Sequence, residues 1–168
     1  MDFDPKALSN RLHSETDRAF IIVCGSLIED RLRDTITLKL DEIGGDHTSL
    51  SARDDGQGHT FAQLIALGKM LGILDDKTIE RIDLIRAVRN VSAHSLDAVD
   101  FDQPAIREAA LAIIEPLTFD DRSDIRYAFG ARCQVVGLME REEDLWNEFV
   151  QKVAPAMQHL AKKFRKDC

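Results

Sequence analysis

The sequence predicts an all-α protein with an antiparallel helical bundle as its architecture. Three observations carry this. Apolar residues recur three or four positions apart in one segment after another, the spacing of a single helix face. The segments open on Ser, Thr or Asp and close on Gly or Pro, the chemistry of helix ends. No segment alternates apolar and polar residues as a half-buried strand does.

Asp4-Pro5 starts a short first helix, which runs to about Leu12. Ser14 is the cap of a second helix, with Asp17 three residues on. That helix runs to about Ile43 on a stripe of Phe20, Cys24, Leu27, Ile28, Leu32, Ile36, Leu40 and Ile43. Its opposite face carries Glu29, Asp30, Arg33, Asp34 and Lys39, and Gly44-Gly45 stops it. Residues 44–59 lose all periodicity and read as a Gly- and Asp-rich loop. Its Gly-x-Gly follows no strand and leads into no phosphate-loop pattern.

Thr60 caps a helix with Phe61, Leu64, Ile65, Gly68 and Leu71 on one face, ended by Gly72. Asp75-Asp76 starts the next, whose stripe is Ile79, Ile82, Ile85 and Val88. Arg81, Arg86 and Arg89 give this helix a local cationic strip. Phe101 reads as a buried anchor, and a helix follows from Ala105 to Ile114, ended by Pro116. A start at Asp120, Asp121 or Ser123 leads into one long helical segment to about Lys166, divided or kinked at Pro155. Trp146, Phe149, Val153, Met157 and Leu160 supply its seam. The tail from Lys162 to Lys166 places positive charge at a helix C-terminus.

At 168 residues the chain suits one domain with a helical extension, and 44% hydrophobic residues suffice for a core. A net charge of −8 argues against nucleic-acid or membrane binding by bulk electrostatics. No stretch approaches the ~20 apolar residues of a membrane span. The acidic start, MDFDPKALSN, lacks the apolar core of a secretory signal, so a cytoplasmic location is expected. Cys24, Cys133 and Cys168 fit neither a disulfide framework nor a zinc site, and Cys24 reads as a small core residue. His47 and His59 share a loop with Asp46, Asp54 and Asp55, but their spacing matches no standard ligand set. No metal and no cofactor are expected.

One cluster carries chemistry. Arg89, Asn90 and His94 bring a guanidinium, an amide and an imidazole into six residues at the end of the central helix. Asn90 and His94, four apart, share a helix face; Arg89 and His94 are about 140° apart and converge only if the helix loosens after Asn90. Arginine grips phosphate through paired hydrogen bonds, and imidazole moves protons near neutral pH. Together they suit metal-independent RNA cleavage, in which the ribose 2′-hydroxyl attacks its own phosphate. Arg86 and Arg89 are the candidate RNA or anion contacts. The alternative is structural: a histidine in the last turn, with Arg and Asn beside it, satisfies free carbonyls and the helix dipole.

The stretch Thr60 to His94, TFAQLIALGKMLGILDDKTIERIDLIRAVRNVSAH, resembles the core of the mannitol operon repressor family. The step Leu71-Gly72-Ile73-Leu74, the acidic helix start and Leu-Ile-x-x-x-Arg with a terminal His carry the likeness. Upstream, Ser14 to Ala19 and Leu27 to Leu32 fit that family's first long helix, and Val99-Asp100-Phe101-Asp102 is similar to its acidic step. The family is similar in turn to the HEPN superfamily of small, usually dimeric, helical bundles. The resemblance covers residues 14–115. It implies a HEPN-like core (14–115); the residue pattern adds an N-terminal helix (1–13) and a C-terminal helical extension, expected to pack on the core (116–168).

The resemblance implies a regulatory protein that acts through a protein partner, with no recognisable DNA-binding helix. It also implies the alternative, a HEPN-type endoribonuclease or toxin held by an antitoxin. In that case Arg89, Asn90 and His94 form the catalytic motif across a homodimer, with Glu29 as helper by position. Direct DNA binding is the weakest reading, since only the Arg81, Arg86, Arg89 strip offers a basic surface. The loop at Ser51 to His59 departs from the family pattern in its length and its Gly and Asp content.

Overall fold

The computed structural model describes Leu12, residues 14–50, residues 58–152 and Pro155. The expected first helix apart from Leu12, the loop at 51–57 and the basic tail with Cys168 lie outside the described residues. Those described are all-helical, with no strand: α1 (Asp17–Glu42), a 3₁₀ turn (Thr48–Leu50), α2 (Phe61–Met70), α3 (Asp76–His94), α4 (Pro104–Ile113), α5 (Arg122–Val136) and α6 (Glu142–Lys152). None of these helices is long and apolar enough to cross a membrane.

Helix ends follow local chemistry. Thr16, two residues later than the expected Ser14, caps α1 by accepting from the Ala19 amide. Thr60 and Gln63 form a reciprocal capping box on α2. Asp75 accepts from the Thr78 amide to start α3, and Asp121 accepts from Ser123 and Asp124 to start α5. Gly72 takes φ +68° just past α2, a left-handed conformation that glycine adopts without the steric cost of a Cβ.

α1 is the axis of the bundle. It packs on α2, α3 and α5 through Phe20, Ile21, Cys24, Ile28, Leu32 and Ile36. Arg18 meets the end of α3 while Glu29 meets Arg89, so α1 and α3 are antiparallel. α1 and α5 instead run the same way: Asp17 pairs with Arg122 and Arg126, Phe20 touches Gly130, and Arg31 lies by Gly137. The bundle is therefore not antiparallel throughout. Residues 114–121 return the chain between α4 and α5, held where Arg107 donates to the carbonyls of Phe119 and Asp120. α5 belongs to the same buried cluster as α1 and α3, with Phe129 against Phe20 and Phe101.

Phe101 is fully buried, as expected, and Cys24 and Cys133 are buried free thiols. Three further expectations are corrected. Ile43 is 59% exposed, because α1 has already ended and Gly44 has turned the chain at φ +68°. Leu50, in the loop without periodicity, is buried on the 3₁₀ turn. The long helix from 120 onward breaks at 137–141, well before Pro155. The break lets α6 fold back, so that Trp146 reaches the Glu115 carbonyl at 2.7 Å and Glu142 reaches Arg132 at 2.5 Å.

Candidate functional site

α3 stays helical through His94, and its C-terminus is closed from outside. The Arg18 guanidinium, on α1, donates to the carbonyls of Ser92 (3.1 Å), Ser95 (2.8 Å) and Asp97. Arginine suits this task because its fork satisfies several carbonyls at once and its charge opposes the dipole. The end of α3 thus has its cation without His94. The His94 side chain makes no hydrogen bond to a described residue, and it is exposed.

Arg89 points the other way, into the seam between α3 and α1. Its Nη2 lies 3.4 Å from Glu29 Oε2, and Glu29 also holds Arg33 at 3.1 Å. The stem of Arg89 lies flat on Gly25. A Cβ there would fall 2.7 Å from Arg89 Cγ and 2.9 Å from its Cβ, so glycine is what lets the two helices meet at this point. Arg89 Nη1 donates to Asn90 Oδ1 at 3.2 Å, which links the seam to the face that carries His94. The helix does not loosen, so Arg89 and His94 keep their offset of about 140° around α3. The structure therefore groups Glu29, Arg89 and Asn90, and leaves His94 one turn further along the helix.

The cationic strip on α3 is dispersed. Arg86 pairs with Asp83 at 3.0 Å on its own helix. Arg81 turns to the carbonyls of Ala112 and Ile113 and to Glu143 at 3.2 Å. With Arg89 on Glu29, the three guanidinium groups face different carboxylates and form no common patch. The outermost face of α3 is instead apolar around the histidine: Leu84 (39% exposed), Ala87, Val91 (56%) and His94 recur at helical spacing, with Leu96 wholly exposed beyond them.

Two buried ionic clusters escaped the sequence reading. Asp17 is buried and accepts from the Phe101 amide, Arg122 and Arg126. Burial pushes its carboxyl up, but those hydrogen bonds outweigh burial and hold it below the ordinary value. Arg132 is fully buried under Trp146, 4.5 Å from the ring centroid, with Glu142 and Glu143 as its acids. Burial pulls Arg132 down to about 10 against the attraction of Glu142, and pushes Glu142 up against Arg132 and Arg81. A charged residue inside an apolar stripe reads as solvated surface, so only contacts distant in sequence reveal these clusters.

Among the described residues, no group of three or more His, Cys, Asp or Glu is placed to share a metal ion. In the glycine-rich loop His47 Nδ1 lies 2.9 Å from Asp41, while Asp54 and Asp55 lie outside the described residues. Compared with family models, curated proteins and solved structures, the chain matches none.

Proposed function

We propose that this chain is a cytoplasmic regulatory protein of the mannitol-repressor kind, which binds a partner protein through the outer face of α3. The observation that carries this reading is the exposed row Leu84, Ala87 and Val91 on a helix whose inner face is already packed, with Leu96 exposed just beyond its end. A contiguous exposed apolar row on a rigid helix marks a contact surface more than a solvated one. The dispersal of Arg81, Arg86 and Arg89 onto carboxylates also favours a protein partner over nucleic acid. The test uses tagged full-length chain purified from cells. Val91→Glu should remove a specific co-purifying protein, and His94→Ala should retain it. Retention by Val91→Glu and loss by His94→Ala would overturn the reading.

One observation favours a second reading, a HEPN-type metal-independent endoribonuclease using Arg89, Asn90 and His94. Arg18 takes over the helix cap, so His94 is exposed with no capping duty, and Asn90 ties Arg89 to its face. This reading requires a phosphate to replace Glu29 as the partner of Arg89, or a second copy to complete the site. It predicts cleavage of single-stranded RNA in chelator, lost in His94→Ala.

A further inference from the structure

The linker between α5 and α6 is at odds with its own sequence. Leu138, Met139, Glu140 and Arg141 are strong helix formers, and apart from Gly137 the stretch from Asp121 onward reads locally as one helix. In the fold Met139 and Arg141 instead take φ +57° and +47°, the left-handed region that costs a side-chain-bearing residue about 1–2 kcal/mol. Arg141 immediately precedes α6, and arginine has no acceptor with which to cap the free amides there. Leu138 is left 44% exposed.

What holds this bend is the docking of α6. Glu142 and Trp146 are its two buried residues. They meet a receptor already built by the rest of the bundle: Arg132 on α5, Arg81 on α3 and the Glu115 carbonyl after α4. The chain thus combines a strained hinge, a preference for the straight form, and a self-complementary arm and socket. A strained hinge of this kind favours exchange of the arm between copies, since the same contacts re-form while the hinge relaxes. The receptor is filled by the chain's own α6, so the partner it fits is a second copy.

We propose that α6 is an exchangeable arm: residues 137–141 open into continuous helix, and α6 of one chain docks Glu142, Glu143 and Trp146 onto Arg81, Arg132 and Glu115 of a second copy. This dimer is independent of the outer face of α3.

The full chain is refolded from denaturant over a range of concentrations and sized by light scattering. The expected result is a dimer that grows with refolding concentration and persists on dilution. In dimers of isotope-labelled and unlabelled chains, NMR contacts of the Trp146 indole, the single tryptophan of the sequence, should run to Arg132 of the other chain. Deleting Leu138, Met139 and Glu140 should drive the chain to that dimer. Met139→Gly and Arg141→Gly should each shift the equilibrium roughly tenfold towards monomer, by relaxing the bend and weakening the straight helix. If the deleted chain does not fold, the wild type and the glycine variants decide. Monomer under every condition, dimers whose Trp146 contacts stay within one chain, or glycine variants that dimerise like the wild type would each overturn the proposal.

Discussion

Replacing Arg132 by Met tests the energetics of the buried cluster. Arg132 is fully buried, and its Nη2 lies 2.5 Å from Glu142 and 3.1 Å from Glu143. Met fills much the same volume and keeps a contact with the Trp146 ring, so packing changes little. The change leaves Glu142 buried with Arg81, at 3.5 Å, as its one remaining cation. Breaking a buried pair from one side costs about 3–5 kcal/mol, and Arg81 holds the loss near the lower bound, about 3 kcal/mol. For a chain of this size that lowers Tm by about 6–12 °C. Glu142→Leu in the same chain removes the stranded charge. Glu143 keeps Arg81 and is 41% exposed, so it remains solvated. The double variant should come within about 1 kcal/mol of wild type, a coupling of about 2 kcal/mol or more. Denaturant unfolding followed by circular dichroism and by Trp146 emission measures all four corners of the cycle. A single variant costing under about 1 kcal/mol, or a double variant as poor as the sum of the singles, would refute the reasoning.

Gly25→Ala should destabilise by about 1 kcal/mol, overpacking against the Arg89 stem outweighing the helix preference for alanine, and truncating the stem by Arg89→Ala should recover part of it; chemical denaturation of both variants and the double checks this. Arg18→Ala uncovers the carbonyls of Ser92, Ser95 and Asp97 and should cost about 2 kcal/mol, with faster amide exchange in the last turn of α3. Asp17 has a folded value below its ordinary 3.8, so its stabilisation is complete above that pH and is lost as pH falls through the folded value. Asp17→Asn should therefore be less stable than wild type by about 2 kcal/mol at neutral pH, a gap that closes in acid, as acid titrations of Tm would show.

Helix content was legible wherever a local rule decides it. The stripe Phe20, Cys24, Ile28, Leu32 and Ile36 is buried as its spacing requires, and Thr60, Asp75 and Gly72 sit at the helix ends their chemistry favours. Illegible features depend on partners far along the chain. The bend at 137–141 carries no local breaker except Gly137; it exists because Glu142 and Trp146 find Arg132 and Glu115. The parallel course of α1 and α5 depends on the return at 114–121, which periodicity cannot see. At the candidate site, the spacing correctly put Asn90 and His94 on one face of a helix, and position alone singled out Glu29. Spacing could not show that Arg89 lies on Gly25, or that Arg18, 74 residues from Ser92, caps the helix in place of His94.

The docking role of α3 is tested most directly by site-specific photo-crosslinking in cells. A photoreactive residue is placed at Val91 on the outer face of α3, and in a control chain at exposed Glu148 on α6. The expected result is one discrete protein adduct from position 91 and none of the same mass from position 148. RNA as the main adduct at position 91, or the same protein captured equally from both positions, would contradict a partner-binding face on α3.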